Sequence, residues 1–193
     1  MYRFKFSLPP IDYSLLPFVF CPFESLDWSS LDWRRFGSGG ESSARHCFVD
    51  DWRLEHLWRR PGQGLAKVIL QGVMTAPDFT IEKSFPLPVA EYQVFRMASL
   101  CSYWQAYGVH VVPVLQWGSP ETFSLPSKYI QIGSVVAVRG PQFGTDDDWV
   151  VASRAINLSL RPSLVLHFGR KPKVNVWDNA IYLNLRNSHS KYN

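Results

Sequence analysis

The sequence predicts an α/β fold with a mainly parallel sheet or partial barrel, packed helices and an aromatic N-terminal arm. Short apolar segments alternate with segments of helical periodicity from about residue 45 onward, which is typical of parallel strands joined by helices. Several apolar segments also end in acidic or other polar residues, as strands do where their carboxyl ends meet at one edge. Because only about five strands alternate in this way, we do not expect a complete eight-stranded barrel.

The composition is that of a folded protein with a modest positive charge. Hydrophobic residues make up 46% of the 193-residue chain and charged residues 19%, which argues against disorder. The net charge of +4 is compatible with a polyanionic partner. The three cysteines are far apart and form no CxxC pair, so we expect buried thiols in a reducing compartment. Without a leader pattern or an apolar run of about 18 residues, the sequence predicts a cytoplasmic protein that does not span a membrane.

Residues 1–44 form the predicted N-terminal arm, which is rich in aromatic residues and ends in a flexible Gly/Ser loop. Alternating aromatic and polar residues at positions 2–8 predict a half-buried strand, and prolines interrupt the apolar segment at 15–23. Trp28 and Trp33 follow in a short near-repeat. We expect this arm to pack its aromatic side chains on the body or on a partner. Because exposed tryptophans are common in protein interfaces, residues 1–40 are the candidate segment for contact with a protein partner.

An α/β body is predicted over residues 45–186, followed by a frayed tail at 187–193. Apolar runs predict its strands at 47–49, 73–76, 109–117, 135–138 and 164–168, and a final hairpin pairs 174–176 with 180–185. Periodic apolar residues predict its helices at 52–60, 64–71, 86–108 and 149–160.

Local signals refine the ends of these elements. Asp51 precedes the first helix as a candidate N-cap, and Pro61 is expected to break that helix. Pro113 lies inside a predicted strand, where it removes a hydrogen-bond donor, so we expect an edge, a bulge or a barrel-like irregularity there. The acidic residues at 146–148 suit the N-terminus of the last helix.

Several distinctive motifs occur in order between residues 46 and 169. They are Phe-Val-Asp-Asp-Trp-Arg-Leu-Glu-His-Leu-Trp at 48–58, Pro-Asp-Phe-Thr at 77–80, Tyr-Trp-Gln at 103–105, Val-Val-Pro-Val-Leu-Gln-Trp at 111–117 and Gly-Ser-Val-Val-Ala at 133–137. In these residues the chain resembles the domain of unknown function 4417 family, which occurs in bacteria, phages and mobile elements. The resemblance implies an architecture and the position of a site, but no reaction. Gln116 departs from the family pattern, which has Ser at that position.

Ligands of parallel α/β sheets gather at the carboxyl ends of the strands, where Gln116 and Trp117 are also predicted to lie. The candidate catalytic residues there are Asp50, Asp51, Asp78, Glu121, Arg139 and His167. Paired carboxylates with Arg and His suit glycosyl transfer or hydrolysis, and they equally suit a divalent metal with phosphate. The cofactor is therefore unknown, and a divalent metal is one alternative. A structural role also accounts for Asp51 as a cap and for His167 as a core histidine. No metal ligands are proposed, because His56 and Cys47 are isolated.

The chain contains no P-loop, dinucleotide-binding glycine motif, zinc-protease motif or nucleophile elbow. This absence favours binding over catalysis. The sequence therefore predicts a phage- or mobile-element-associated protein that contacts nucleic acid or a protein partner. The alternative is an enzyme that acts on a nucleotide or glycosidic bond through the strand-end carboxylates. The candidate binding residues are Trp28, Trp33, Arg34, Arg35, Arg59, Arg60, Trp117, Arg170 and Lys171.

Overall fold

Parallel strands in chain order form the framework of the molecule. The computed structural model describes residues 17–23, 26–142 and 145–185, so the predicted strand at 2–8 and tail at 187–193 lie outside it. The described strands are β1 (Trp33–Arg35), β2 (Ala44–His46), β3 (Val73–Thr75), β4 (His110–Val112), β5 (Val135–Arg139), β6 (Leu164–Phe168) and β7 (Ala180–Leu183). β1–β4 form one sheet and β5–β7 another, and every pairing within them is parallel. The predicted α/β fold with a mainly parallel sheet is confirmed.

The two sheets meet at Pro113, directly after β4. Ala137 N donates to the Pro113 carbonyl at 2.9 Å, and Leu115 N donates to the Ala137 carbonyl at 2.8 Å. Val114 and Ala137 thereby form a parallel bridge. Pro113 has no N–H to give to a continuous ladder, so it ends β4, and the irregularity expected at this residue is present.

Helices cross over between most of the strands. They are α1 (Asp51–Arg59), α2 (Pro61–Ile69), α3 (Leu87–Gln105), α4 (Leu125–Tyr129) and α5 (Asp146–Leu160), and a 3-10 turn spans Pro120–Thr122. α1 ends at Arg59, so the break expected at Pro61 is present, and Pro61 itself begins α2, because the first helical position needs no N–H donor. Gly64 allows α2 to lie close to α1, since a Cβ there would stand 2.7 Å from Leu57 Cδ2.

The sheets curl so that their inner faces share one core. Trp33 of β1 packs edge-on against Phe168 of β6, with ring centroids 5.3 Å apart, and His46 of β2 lies 5.2 Å from the same ring. Within the described ranges β1 and β7 are the outermost strands and do not pair, so the barrel is not closed.

Two predicted strands differ from those observed. β2 ends at His46, before the predicted 47–49, because Cys47 N turns to bond Thr75 Oγ1 at 2.8 Å. The predicted final hairpin is wrong, since β7 runs parallel to β6, with Leu166 opposite Ile181. The segment between β6 and β7 is not a tight turn, because the Trp177 side chain inserts into the core.

Much of the predicted N-terminal arm packs into the body. Val19 N donates to the Tyr129 carbonyl at 2.8 Å, and Val135 N donates to the Cys21 carbonyl at 2.7 Å. Trp28 and Trp33 are only 2% and 3% exposed. The expectation of exposed tryptophans in this segment is therefore wrong, because both indole rings fill the core and Trp33 belongs to a strand.

Candidate functional site

Three neighbouring strand ends build a cleft at the carboxyl edge of the sheet, and we call it the strand-end cleft. Asp78 follows β3, Gln116 follows β4 and Arg139 ends β5. These residues, with Trp117 and Trp149, line a cavity of about 230 Å³. Parallel strands bring their carboxyl ends together, which explains why residues far apart in sequence converge here.

Asp78 is half-buried, and its ionisation is strongly perturbed. Burial raises the pKa of its carboxyl to about 6. The positive charge of Arg139 and the Gln116 side chain oppose this rise in pKa, and the charge of Asp51 adds to it. The carboxyl therefore exchanges its proton within about a pH unit of neutrality, which is the range that suits an acid or base in a site.

Gln116 presents a buried acceptor whose orientation is fixed. Its Nε2 donates to the Phe79 carbonyl at 2.7 Å, so the other end of the amide must be the oxygen. The side chain is only 5% exposed, and Oε1 has no hydrogen-bond partner among the residues that the structure describes. Buried polar atoms are normally paired, so an unpaired one in a cleft indicates a place for a ligand or water donor.

Two tryptophans form a wall of the cleft. Trp149 donates from Nε1 to the Arg139 carbonyl at 3.0 Å, which fixes its ring, and Trp117 lies 6.1 Å from it between centroids. Both also line an adjoining cavity of about 400 Å³ that opens toward Lys83 and Asp148. Gly140 also lines the cleft and lets two backbone segments pack closely beside it, because a Cβ there would stand 2.1 Å from the Arg170 carbonyl.

The other predicted acids have structural partners. Asp51 accepts hydrogen bonds from Thr80 N at 3.1 Å and Thr80 Oγ1 at 2.8 Å, which ties α1 to the segment after β3. It is the first residue of α1 and not its N-cap, so that prediction is wrong. Asp50 pairs with Arg53 at 3.6 Å, and Glu121 accepts from Ser119 Oγ at 3.2 Å. The enzymatic alternative stays a prediction, and Asp78 is its best-placed carboxyl.

His167 of β6 does not line the strand-end cleft. It is fully buried, and its ring centroid is 5.4 Å from that of Trp149 and 4.9 Å from that of Tyr182. Burial lowers the pKa of His167 to about 4, so the ring is neutral at pH 7. Its position corresponds to the structural alternative of a core histidine, since Trp149 stands between it and the cleft.

A second candidate site lies on α1 and α2. We call it the basic face and define it as Trp52, Arg53, His56, Arg59, Arg60 and Lys67. Five of these residues, without Arg53, line a concavity of about 700 Å³. A neighbouring concavity of about 480 Å³ shares Trp52, His56 and Lys67 and extends to the loop after β1.

Trp52 is the feature of this face that the sequence interpretation missed. Trp52 was counted only toward the helical spacing of residues 52–60, and its side chain is 71% exposed. The Arg53 guanidinium lies 4.6 Å from the centroid of its ring. The spacing of Trp52, His56 and Arg59 places them on one side of a helix, and this signal was present in the sequence.

The remaining predicted binding residues do not gather into one surface. Arg170 pairs with Asp146 at 2.7 Å, and Arg34 pairs with Asp32 at 3.1 Å. Lys171 Nζ lies 4.2 Å over the Tyr182 ring. Arg35 is exposed at the end of β1. Only Arg59 and Arg60 belong to the basic face, and Trp117 belongs to the strand-end cleft.

The described ranges contain neither a metal-binding cluster nor a membrane-spanning helix. No group of three or more His, Cys, Asp or Glu side chains there is arranged to hold a metal ion. No helix in the same ranges combines the length and the apolar character needed to cross a membrane.

The fold and site define a parallel α/β protein with a polar strand-end cleft and a basic, tryptophan-bearing helical face. A family model described as Domain of unknown function (DUF4417) matches residues 25–185, and the chain belongs to this family. The predicted resemblance is confirmed, and the match begins early enough to include β1 and β2, which the sequence analysis placed at or next to the arm.

Relatives from phages carry the same sequence pattern. The chain is 32% identical to the Gene 1 protein of Mycobacterium phage D29 over 126 residues, which is 64% of this chain and 46% of that protein. It is 32% identical to the Gene 1 protein of Mycobacterium phage L5 over 124 residues, which is 64% of this chain and 54% of that protein. The chain thus spans about half the length of these curated relatives. The family is phage-associated, and no solved structure matches the chain.

Proposed function

We propose that this chain is a phage-associated protein that binds single-stranded nucleic acid through the basic face. The observation that carries the proposal is Trp52, a 71% exposed indole among the cationic side chains of two adjoining concavities. Exposed aromatic rings stack on unpaired bases, and neighbouring cations neutralise the phosphates between them.

The charge of the face favours a polyanion. Arg59, Arg60 and Lys67 are exposed cations, and Arg53 adds a fourth against the Trp52 ring. The acidic side chains nearby are engaged, since Asp50 pairs with Arg53 and Glu55 pairs with both Arg59 and Arg96. These pairs offset the charges of Arg53 and Arg59, whereas Arg60 and Lys67 make no ion pair in the described ranges, so the face keeps a net positive charge that attracts a phosphate backbone.

The exposed indole ring of Trp52 favours single-stranded nucleic acid over a duplex as the ligand. Its ring is available to solvent at the start of α1, and a base inside a duplex exposes only its edge. Stacking of an unpaired base on an aromatic ring contributes about 1–3 kcal/mol per base, which exceeds what one exposed ion pair contributes.

Fluorescence anisotropy with a labelled single-stranded oligonucleotide over a series of salt concentrations tests the proposal. We expect the logarithm of the binding constant to fall linearly with the logarithm of the salt concentration, by about 0.7 per phosphate contact. Lys67→Gln should make this slope shallower by about that amount. Trp52→Ala should weaken binding by roughly 5-fold to 100-fold at every salt concentration without changing the slope.

Arg154→Gln is the matched control, because Arg154 is an exposed arginine on α5, away from the basic face. We expect its affinity and slope to equal those of the wild type. Binding that does not depend on salt, or that is the same in Trp52→Ala and the wild type, would contradict the proposal.

A further inference from the structure

The strand-end cleft carries features that binding at the basic face does not use. We propose that it is a separate site for a nucleotide, with Arg139 on the phosphate, Trp117 against the base and the Gln116 oxygen accepting from a donor of the base. This inference does not rest on nucleic-acid binding by α1 and α2.

The buried amide of Gln116 indicates that the ligand has a hydrogen-bond donor. Gln116 lines the cleft, and the bond from its Nε2 to the Phe79 carbonyl at 2.7 Å fixes the orientation of the amide. Oε1 has no partner among the described residues, although the side chain is almost completely buried. The N–H groups of nucleobases are donors of the kind that such an acceptor pairs with.

Arg139 indicates that the ligand also has an anionic part. It ends β5 at the rim of the cleft and is exposed. Its guanidinium makes no ion pair within 4.0 Å with a carboxylate of the described ranges, in contrast to Arg170 nearby. Asp78 is the acid whose pKa the charge of Arg139 lowers, but the two make no ion pair, so the guanidinium at the rim can bind a phosphate through two parallel hydrogen bonds.

The tryptophans and the cavity size indicate a planar ligand of moderate size. Trp117 is half-buried, so part of its ring faces the cleft, and Trp149 behind it is fixed by its bond to the Arg139 carbonyl. The adjoining cavities of about 230 and about 400 Å³ share both rings. Small-molecule sites commonly occupy about 300–1,000 Å³, so a base, a sugar and a phosphate fit this range.

Asp78 completes the polar lining. Its carboxyl faces the same cavity, and its pKa of about 6 makes it an acceptor above that pH and a donor below it. A ligand with a cationic or donating edge would favour the ionised form, so binding should become weaker as the pH falls through about 6.

Isothermal titration calorimetry with the four nucleoside 5′-monophosphates tests the proposal. We expect at least one to bind, and its nucleoside and ribose 5-phosphate to bind at least tenfold more weakly. Arg139→Gln should reduce monophosphate affinity about tenfold and leave nucleoside affinity unchanged, since it removes a charge-assisted bond to phosphate alone. Gln116→Met should weaken both ligands, and Arg154→Gln should weaken neither.

Thermal melts check that each variant is folded, and Arg139→Gln is the safer variant because Arg139 is exposed. Absence of binding by all four monophosphates would overturn the proposal, as would ribose 5-phosphate binding as tightly as the nucleotide. Trp52→Ala and Lys67→Gln should leave mononucleotide affinity unchanged, and a parallel loss would refute a separate site. A 5′-phosphorylated oligonucleotide, compared with its unphosphorylated form in the Trp52→Ala background, distinguishes the end of a strand from a free nucleotide as the source of the ligand.

Discussion

Asp78 illustrates at the residue scale how position in the fold changes the chemistry of a side chain. Its carboxyl has a folded-state pKa of about 6 against an ordinary value of 3.8, chiefly because of burial. The folded protein therefore holds this proton more tightly than the unfolded chain does. Ionised Asp78 destabilises the fold, and this destabilisation grows as the pH rises from about 4 to about 6 and is constant above that.

Asp78→Asn should therefore stabilise the protein at pH 8 and not at pH 4. A rise in pKa from 3.8 to about 6 corresponds to roughly 3 kcal/mol, and solvent contact of the half-buried carboxyl should reduce the gain to about 1–2 kcal/mol. Melting curves of both proteins at the two pH values measure this. An equal difference in melting temperature at both pH values would mean that burial does not perturb this group.

Burial of His167 has the opposite effect on the pH dependence of folding stability. Burial lowers its pKa to about 4, so the unfolded chain takes up a proton below about pH 6.5 before the folded protein does. The stability contributed by neutral His167 is present above about pH 6.5 and is lost as the pH falls through 4.

His167→Leu should make the protein less sensitive to acid. Leucine fills a similar volume and removes the group that must be charged on unfolding. Urea unfolding at pH 7 and pH 4 should give a smaller loss of unfolding free energy for the variant, by about 2–3 kcal/mol. His46 also has a pKa of about 4 and is unchanged in both proteins, so it cancels from the comparison.

Residue types at strand ends were predictable from sequence, but their partners were not. Asp78 and Arg139 could be placed at strand ends because they directly follow or end apolar runs. The unpaired oxygen of Gln116 depends on the carbonyl of Phe79, which no local pattern encodes. The same limit applies to Asp51, whose partner Thr80 belongs to a different crossover.

At the scale of elements, tertiary contacts determine the strand pairing and the helix boundary that sequence periodicity does not specify. The apolar runs before and after Trp177 suit a hairpin as well as two separate segments, and burial of that indole selects the parallel arrangement. The sequence indicates that Pro61 breaks the helical run but not that a new helix begins at Pro61 itself, and both occur in the structure. The alternation that predicts the fold class is insensitive to both choices, which is why the class was predicted correctly.

Trp33 in β1 and Trp52 in α1 should contribute very different amounts to the free energy of unfolding. Trp33→Ala in β1 should destabilise the protein by about 3–5 kcal/mol, because it opens a cavity beside Phe168. Trp52→Ala on α1 should change the unfolding free energy by no more than about 0.5 kcal/mol, since its ring is exposed. Urea denaturation of both variants makes the comparison. If Trp33→Ala had no effect, β1 would not be part of the core.

On the scale of the whole molecule, the two sheets should unfold together. A bridge between Val114 and Ala137 joins them, and Trp33 and His46 of one sheet pack on Phe168 of the other. Neither sheet can open without exposing that shared core. Far-UV circular dichroism and tryptophan fluorescence should therefore give coincident urea transitions. Two separate transitions would show that the sheets are independent units.

The strand order within each sheet has a consequence for the chain during its synthesis. Each strand pairs with one that precedes it, so β1 to β4 can assemble as they leave the ribosome without waiting for distant segments. One exception is the ring of Trp33, whose partner Phe168 is translated much later. Until then the inner face of the first sheet is uncovered, and the nascent chain should be most dependent on chaperones in that interval.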